Sequence, residues 1–262
     1  MLISFQAFGQ SGVTKFAGAR SLSLGGLSVT FDDENAIFAN QSGLAFAENI
    51  SFTAFGQRRF LLADGMNDVL FGVILPFEDV GTFGLAVEHF GFASYNEQKF
   101  GLAYGRKLSK RLSIGAQFNY LATRIQGYGT SHVFSFELGL QAIVSKQLTL
   151  AFHVNNPTLS AHTNGDRLPS LFRFGASYQP FEDALIIVEL NKSLTDPFNV
   201  RVGFEYRLHE KVYARTGFSV YPTELSLGLG IHFKSLRIDF GSAYDIYLGF
   251  SPGLTVSYII KK

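Results

Sequence analysis

The chain has 262 residues, 47% of them hydrophobic and only 16% charged, with 28 Phe, 11 Tyr, 27 Gly and no Cys or Trp. Net charge is +1, so no long-range field points to nucleic acid or an acidic partner. The absence of Cys excludes disulfides and thiolate metal sites, and no run reaches the ~18 apolar residues of a membrane helix.

The first ten residues, MLISFQAFGQ, are apolar with no basic region. They read either as a signal-peptide remnant, with the mature protein starting near Gln10 or Ser11, or as an ordinary N-terminal segment. Residues 11–49 are small, polar and Gly-rich, suited to irregular chain packed in a confined space. Within them Asp32-Asp33-Glu34 opens a helical pattern over 33–39, with a further turn over 42–47 and Gly43 as a candidate C-cap. The acidic triplet reads as capping rather than as a cation site, because no further ligand spacing follows.

From Ile50 onward the chain is strand after strand: 50–59, 68–77, 80–91, 97–108, 111–125, 131–145, 147–155, 170–180, 184–192, 198–208, 211–220, 223–234, 236–245 and 249–260. The stretch VRVGFEYRL shows the logic. Val200, Val202, Phe204, Tyr206 and Leu208 face one way, and Arg201, Gly203, Glu205 and Arg207 the other. The same period recurs in 111–125, 131–145, 170–180 and 223–234, and it is weakest in 80–91 and 184–192, where both faces carry apolar residues. Turns after even-numbered strands are very short; those after odd-numbered strands tend to be longer, with 156–169 the longest. That asymmetry marks an outer-membrane barrel.

A soluble barrel of about fourteen strands would enclose more volume than its side chains could fill. The polar faces, rich in Gly and Ser, suit a crowded lumen, and the strand lengths suit a tilted bilayer span. The expected fold is therefore all-β: a transmembrane antiparallel barrel of about 14 strands over 50–262, with a lumen hatch containing a short helix over 1–49.

Gly18-Ala19-Arg20-Ser21-Leu22-Ser23-Leu24-Gly25-Gly26, then Asn40-Gln41-Ser42-Gly43-Leu44-Ala45, resembles the N-terminal hatch of the FadL-like barrels, closest to the PorV/PorQ branch associated with type IX secretion. The family's usual Asn-Pro-Ala-Gly-Leu lacks its Pro here. Leu168-Pro169 followed by Arg173-Phe174-Gly175-Ala176-Ser177-Tyr178 resembles a second family motif. The resemblance implies a fourteen-stranded outer-membrane barrel with its N-terminal segment in the lumen, and Gly25, Gly26, Asn40 and Gly43 as its hatch motif.

No catalytic constellation stands out. His153, Asn155, Asn156 and Ser160 lie near one strand end without a recognisable spacing, His232 reads as a satisfied lumen residue, and the His residues show no metal spacing. No enzyme activity, cofactor or metal is expected. By alternation Arg173, Arg201, Arg207, Arg215, Arg237, Glu137, Glu205 and Asp239 face inward, and buried charges must pair. The network reads as an ion-selective pore or as a structural plug bonded to the hatch; the second is preferred, because the hatch backbone needs partners.

The short loops favour an accessory or scaffold subunit of a larger outer-membrane protein complex, serving secretion or barrel assembly. The alternative is a passive transporter of hydrophobic small molecules, with Leu70, Ile74, Leu185 and Ile187 lining an apolar pocket. A general porin is the third reading. Outer-membrane lipid is the expected surroundings.

Overall fold

The computed structural model describes residues 16–61, 66–163, 165, 167–194 and 197–261; the segment read as a signal-peptide remnant, 1–10, lies outside the described residues. A short helix α1 (Gly18–Ser23) and two 3₁₀ turns (Glu34–Phe38 and Gln41–Phe46) precede fourteen strands. These are β1 (Ile50–Arg58), β2 (Asn67–Phe77), β3 (Gly81–Phe92), β4 (Tyr95–Lys107), β5 (Leu112–Ile125), β6 (Gly129–Ile143) and β7 (Leu148–Asn155). They continue with β8 (Leu171–Phe181), β9 (Ala184–Ser193), β10 (Asn199–His209), β11 (Val212–Ser219), β12 (Glu224–His232), β13 (Leu236–Asp245) and β14 (Gly249–Ile260).

Each strand pairs antiparallel with its sequence neighbours, and β1 pairs with β14 from Ile50↔Ile260 to Gln57↔Gly253, closing the barrel. Closure leaves no unpaired edge, the condition for backbone to lie in hydrocarbon. Among the described residues no helix is long and apolar enough to cross a membrane. Every sequence-read strand is found within two residues of its expected bounds. The turns 182–183 and 210–211 are short, and 156–170 is a long connection at the opposite end.

The side-chain period sorts as the alternation requires. On β10, Val202, Phe204 and Tyr206 are exposed while Glu205 is buried. On β12, Leu225, Leu227 and Leu229 are 50–60% exposed, whereas Ser226 is fully buried. An exterior this apolar is a lipid-facing surface; in water it would be a continuous hydrophobic patch far beyond what a soluble monomer shows.

The two ambiguous stretches, β3 and β9, also obey the rule. On β9, Ile186, Val188 and Leu190 face out, while Ile187 faces in and joins an apolar cluster with Phe31. Both faces of β9 are apolar because one meets lipid and the other meets the hatch.

The hatch is where local expectation needed correction. Gly18–Ser23, expected to be irregular, is helical. Its small side chains let it lie directly on the wall, and its end is fixed by Gly25 and Gly26 at φ +74° and +85°. Gly26 N–H donates to Ser21 O at 2.8 Å and Gly25 N–H to Leu22 O at 3.3 Å, the paired bonds of a glycine-terminated helix. The expected helix over 33–39 is a 3₁₀ turn whose N-terminus is capped by Asp33 accepting from Asn35 N–H. Gly43 is not a C-cap. It lies inside the second 3₁₀ turn, where an added Cβ would overlap the carbonyl oxygen of Phe31.

Candidate functional site

The lumen encloses the buried charged and polar groups of the described residues, and the hatch fills its middle. Leu22, Leu24, Leu27, Ile37 and Leu44 are fully buried there, packed with the inward wall residues Phe55, Leu70, Ile74 and Ile187. The wall admits this packing because it presents glycines at hatch level. A Cβ built on Gly115, Gly139, Gly217 or Gly241 would overlap Gln41, Asn40, Leu24 or Ala19 respectively. Small residues on the wall thus let backbone meet backbone. Asn40 ties this seat together: its Nδ2 donates to Val29 O at 2.8 Å and its Oδ1 accepts from Ser42 Oγ at 2.7 Å.

The charged side chains form separate groups around that seat. Arg20 of the hatch holds Asp33 at 2.7 Å and Glu205 at 2.8 Å. Glu205 also accepts from Arg215, which reaches Asp239, and His232 Nε2 lies 3.0 Å from the same Asp239. Desolvation opposes the charge on Arg20, but Glu205 and Asp33 outweigh it and raise its pKa further above its ordinary value. Burial and the adjacent Asp33 push the Glu34 carboxyl up, with Arg237, 2.8 Å away, opposing them.

On the other side of the lumen, Lys99 Nζ lies 3.0 Å from both Glu88 and Glu137. Glu137 also accepts from Asn119 Nδ2 at 2.9 Å, and His153 Nε2 lies 3.1 Å from it. Arg173 meets the other nitrogen of His153 at 3.0 Å and donates to Ala39 O of the hatch. Arg201 donates to Gly26 O at 2.8 Å.

Of the eight charges read as facing inward, Glu137, Arg173, Glu205, Arg215 and Asp239 are buried, and Arg201 and Arg237 are half-buried against the hatch. Arg207 sits at the short-turn rim, paired with Asp183 in the open. Sequence reading missed Arg20, Glu34, Glu88, Lys99 and Glu189 as members. For Lys99 the signal was present: it shares a face with Gly101, Ala103 and Gly105. The residues weighed for catalysis are not brought together. Asn156 binds Leu168 O and Ser160 N–H, and the Ser160 hydroxyl meets Thr158, not His153. Among the described residues no group of three or more His, Cys, Asp or Glu is placed to hold a metal ion.

Among the described residues a cavity lies towards each end of the lumen. One of about 360 Å³ opens at the short-turn end, between Phe31 and Asp32 of the hatch and Leu185, Ile187, Lys146 and Arg207 of the wall. The other, about 20 Å³, lies towards the long-loop end beside Leu70, Glu88, Lys99 and Leu121. Leu121 also packs with Val133 and with Leu168, which the long connection folds into that mouth.

No family model matches the chain, and no curated protein matches it by sequence. Its architecture is nevertheless shared with solved structures. The toluene transporter TodX of Pseudomonas putida superposes with a TM-score of 0.73 at 13% identity, over 96% of this chain and 99% of that one. The toluene transporter TbuX of Ralstonia pickettii gives 0.71 at 11% identity, over 94% and 99%. A Pseudomonas aeruginosa FadL homologue gives 0.61 at 13% identity, over 92% and 96%. The fold is that of the FadL-like outer-membrane barrels. The expectation of a scaffold subunit in a secretion or assembly machine is overturned here. Proteins sharing the fold across nearly all of this chain are themselves transporters, so the architecture does not single out an accessory role.

Proposed function

We propose that this protein is a passive channel of the bacterial outer membrane for small hydrophobic molecules. One observation carries the reading. Leu70 borders the cavity at the long-loop end, Leu185 and Ile187 border the one at the short-turn end, and all three pack on a single apolar cluster running through the hatch. A general porin has a water-filled polar lumen. Here hatch and wall meet through an apolar cluster set between the charged groups, which suits a solute that prefers apolar contact. Solved structures that share the fold include toluene transporters and a monoaromatic hydrocarbon channel, which supports the same class. The protein acts without chemistry on its solute. We further propose, on the likeness of 18–26 and 40–45 alone, a kinship with the PorV/PorQ branch, on which the transport role does not depend.

The test is uptake. Cells whose outer membrane carries the protein, and matched cells without it, are given a labelled monoaromatic or fatty acid. Faster entry with the protein, lost on Ile187→Glu, is the expected result. Equal entry with and without the protein would remove the proposal.

A further inference from the structure

The short turns mark the periplasmic end of a barrel of this kind. Charge is not spread evenly along that rim. The β2–β3 turn presents Glu78 and Asp79, and the β8–β9 turn Glu182 and Asp183. Between these acidic turns, the ends of β4 to β7 present Arg106, Lys107, Lys110, Arg111 and Lys146, and the turns 108–111 and 144–147 contain no carboxylate.

The two basic turns are built alike. Ser109 Oγ accepts from the N–H groups of Arg111 at 3.2 Å and Leu112 at 3.1 Å. Ser145 Oγ accepts from Gln147 at 3.2 Å and Leu148 at 3.1 Å. Each hydroxyl fixes its turn and leaves the next residue, Lys110 or Lys146, exposed at the tip. Two strand spacings, about 10 Å, separate the tips. Lys107 lies over the Phe46 ring of the hatch at 5.1 Å. Among the described residues the other four cations make no ion pair and no side-chain hydrogen bond.

Period two sets what Arg106 faces. A Cβ on Gly105 would meet Gln41 and Leu44 of the hatch, so Gly105 points inward and Arg106 outward. Arg106 continues the outward row of Leu102 and Tyr104, sits opposite Ile114, and is followed by Leu108, which is 56% exposed. The Tyr104 hydroxyl donates to Val80 O at 2.6 Å, and its ring lies 5.0 Å from that of Phe83. Outward aromatic rings with a polar tip mark the headgroup level of a bilayer. An unpaired guanidinium one step beyond them on the outer face is at the depth of lipid phosphate, which it can hold through two hydrogen bonds. An acidic protein coming from the water would meet Lys110, Arg111 and Lys146 but not Arg106. A phospholipid meets Arg106 and Lys110 and lays its acyl chains on Leu102 and Ile114.

We propose that this sector of the rim binds anionic phospholipid of the periplasmic leaflet. Arg106 holds the phosphate from the outer face, Lys110 and Arg111 add charge at the tip, and Leu102, Leu108 and Ile114 receive the acyl chains. The site is independent of the lumen and of what crosses it.

The experiment exploits the absence of native Cys. A fluorophore on Leu108→Cys of the full chain reports on the sector. One on Leu208→Cys, also exposed at the short-turn end and next to the paired Arg207 and Asp183, is the reference. Each is placed in phosphatidylcholine vesicles holding a minor share of brominated phosphatidylglycerol or of brominated phosphatidylcholine, since bromine quenches only at close range. At Leu108 the brominated phosphatidylglycerol should quench as if enriched about tenfold, which two cations at an anionic surface suffice to give. At Leu208 the two lipids should quench alike. Arg106→Gln with Lys110→Gln should abolish the enrichment, and the milder Arg106→Lys should keep part of it. Equal quenching by the two lipids at Leu108, or the same enrichment at Leu208, overturns the proposal. So does loss of the enrichment on adding soluble glycerol phosphate in an amount equal to the anionic lipid, which would make the sector a site for small anions. Loss on adding the same amount of poly-glutamate also overturns it, in favour of an acidic protein partner.

Discussion

Arg20 in the hatch and Glu205 in the wall are 185 residues apart and meet through two parallel hydrogen bonds, Nε to Oε2 at 2.9 Å and Nη2 to Oε1 at 2.8 Å. This fork joins the N-terminal segment to the barrel, and it shares Glu205 with Arg215. Arg20→Ala would leave Asp33 and half of Glu205 without a cation. Breaking such a pair costs about 3–5 kcal/mol. Arg20→Lys keeps the charge but loses the fork and should fall between. Urea unfolding in detergent, followed by far-ultraviolet circular dichroism, reads both; an Arg20→Ala midpoint equal to wild type would show that the fork does not hold the hatch.

The glycines at hatch level are a steric requirement. Gly139→Ala and Gly217→Ala each drive a methyl into hatch atoms, and overpacking of this kind costs about 1–3 kcal/mol. Gly56→Ala meets nothing within 4 Å and serves as the control. The same unfolding measurement should separate the first two from the third. Equal midpoints for all three would mean that the hatch does not press on the wall.

The two kinds of ion pair should behave differently. Lys99 is 5% exposed and bridges two carboxylates, so Lys99→Met leaves Glu88 without that partner and Glu137 short of one, at a cost of about 3–5 kcal/mol. Arg207 and Asp183 form their pair at the rim with side chains 36% and 48% exposed, where screening leaves such contacts little worth. Arg207→Ala should leave the unfolding midpoint where it is. A larger loss from Arg207→Ala than from Lys99→Met would invert this picture of the lumen.

What the sequence displays and what it hides follow from the range of the interactions. Alternation in Val200–Leu208 or Leu225–Ile231 is a local signal, because lipid on one side and lumen on the other sort neighbouring residues directly. The strands are therefore legible to within two residues. Partners are not. Nothing near Arg20 announces Glu205, and Glu189 sits in a strand apolar on both faces, where period two is blurred. The helix at Gly18–Ser23 was hidden because its stability comes from glycines on β12–β14 rather than from its own residues. Loop length misdirected the functional expectation: short loops say little about what the lumen carries, whereas Leu70, Leu185 and Ile187 were already visible as inward apolar positions.

The most direct measurement of the central claim is a single-cysteine scan of β12, feasible because the native chain has no Cys. Spin labels at positions 225 to 231 in lipid vesicles are probed with oxygen, which concentrates in the bilayer, and with a water-soluble nickel chelate. Labels at Leu225, Leu227, Leu229 and Ile231 should collide with oxygen and be shielded from nickel, with Ser226, Gly228 and Gly230 between them shielded from lipid. Labels at Leu227 and Leu229 packed away from lipid, with Ser226 and Gly228 open to oxygen, would contradict it.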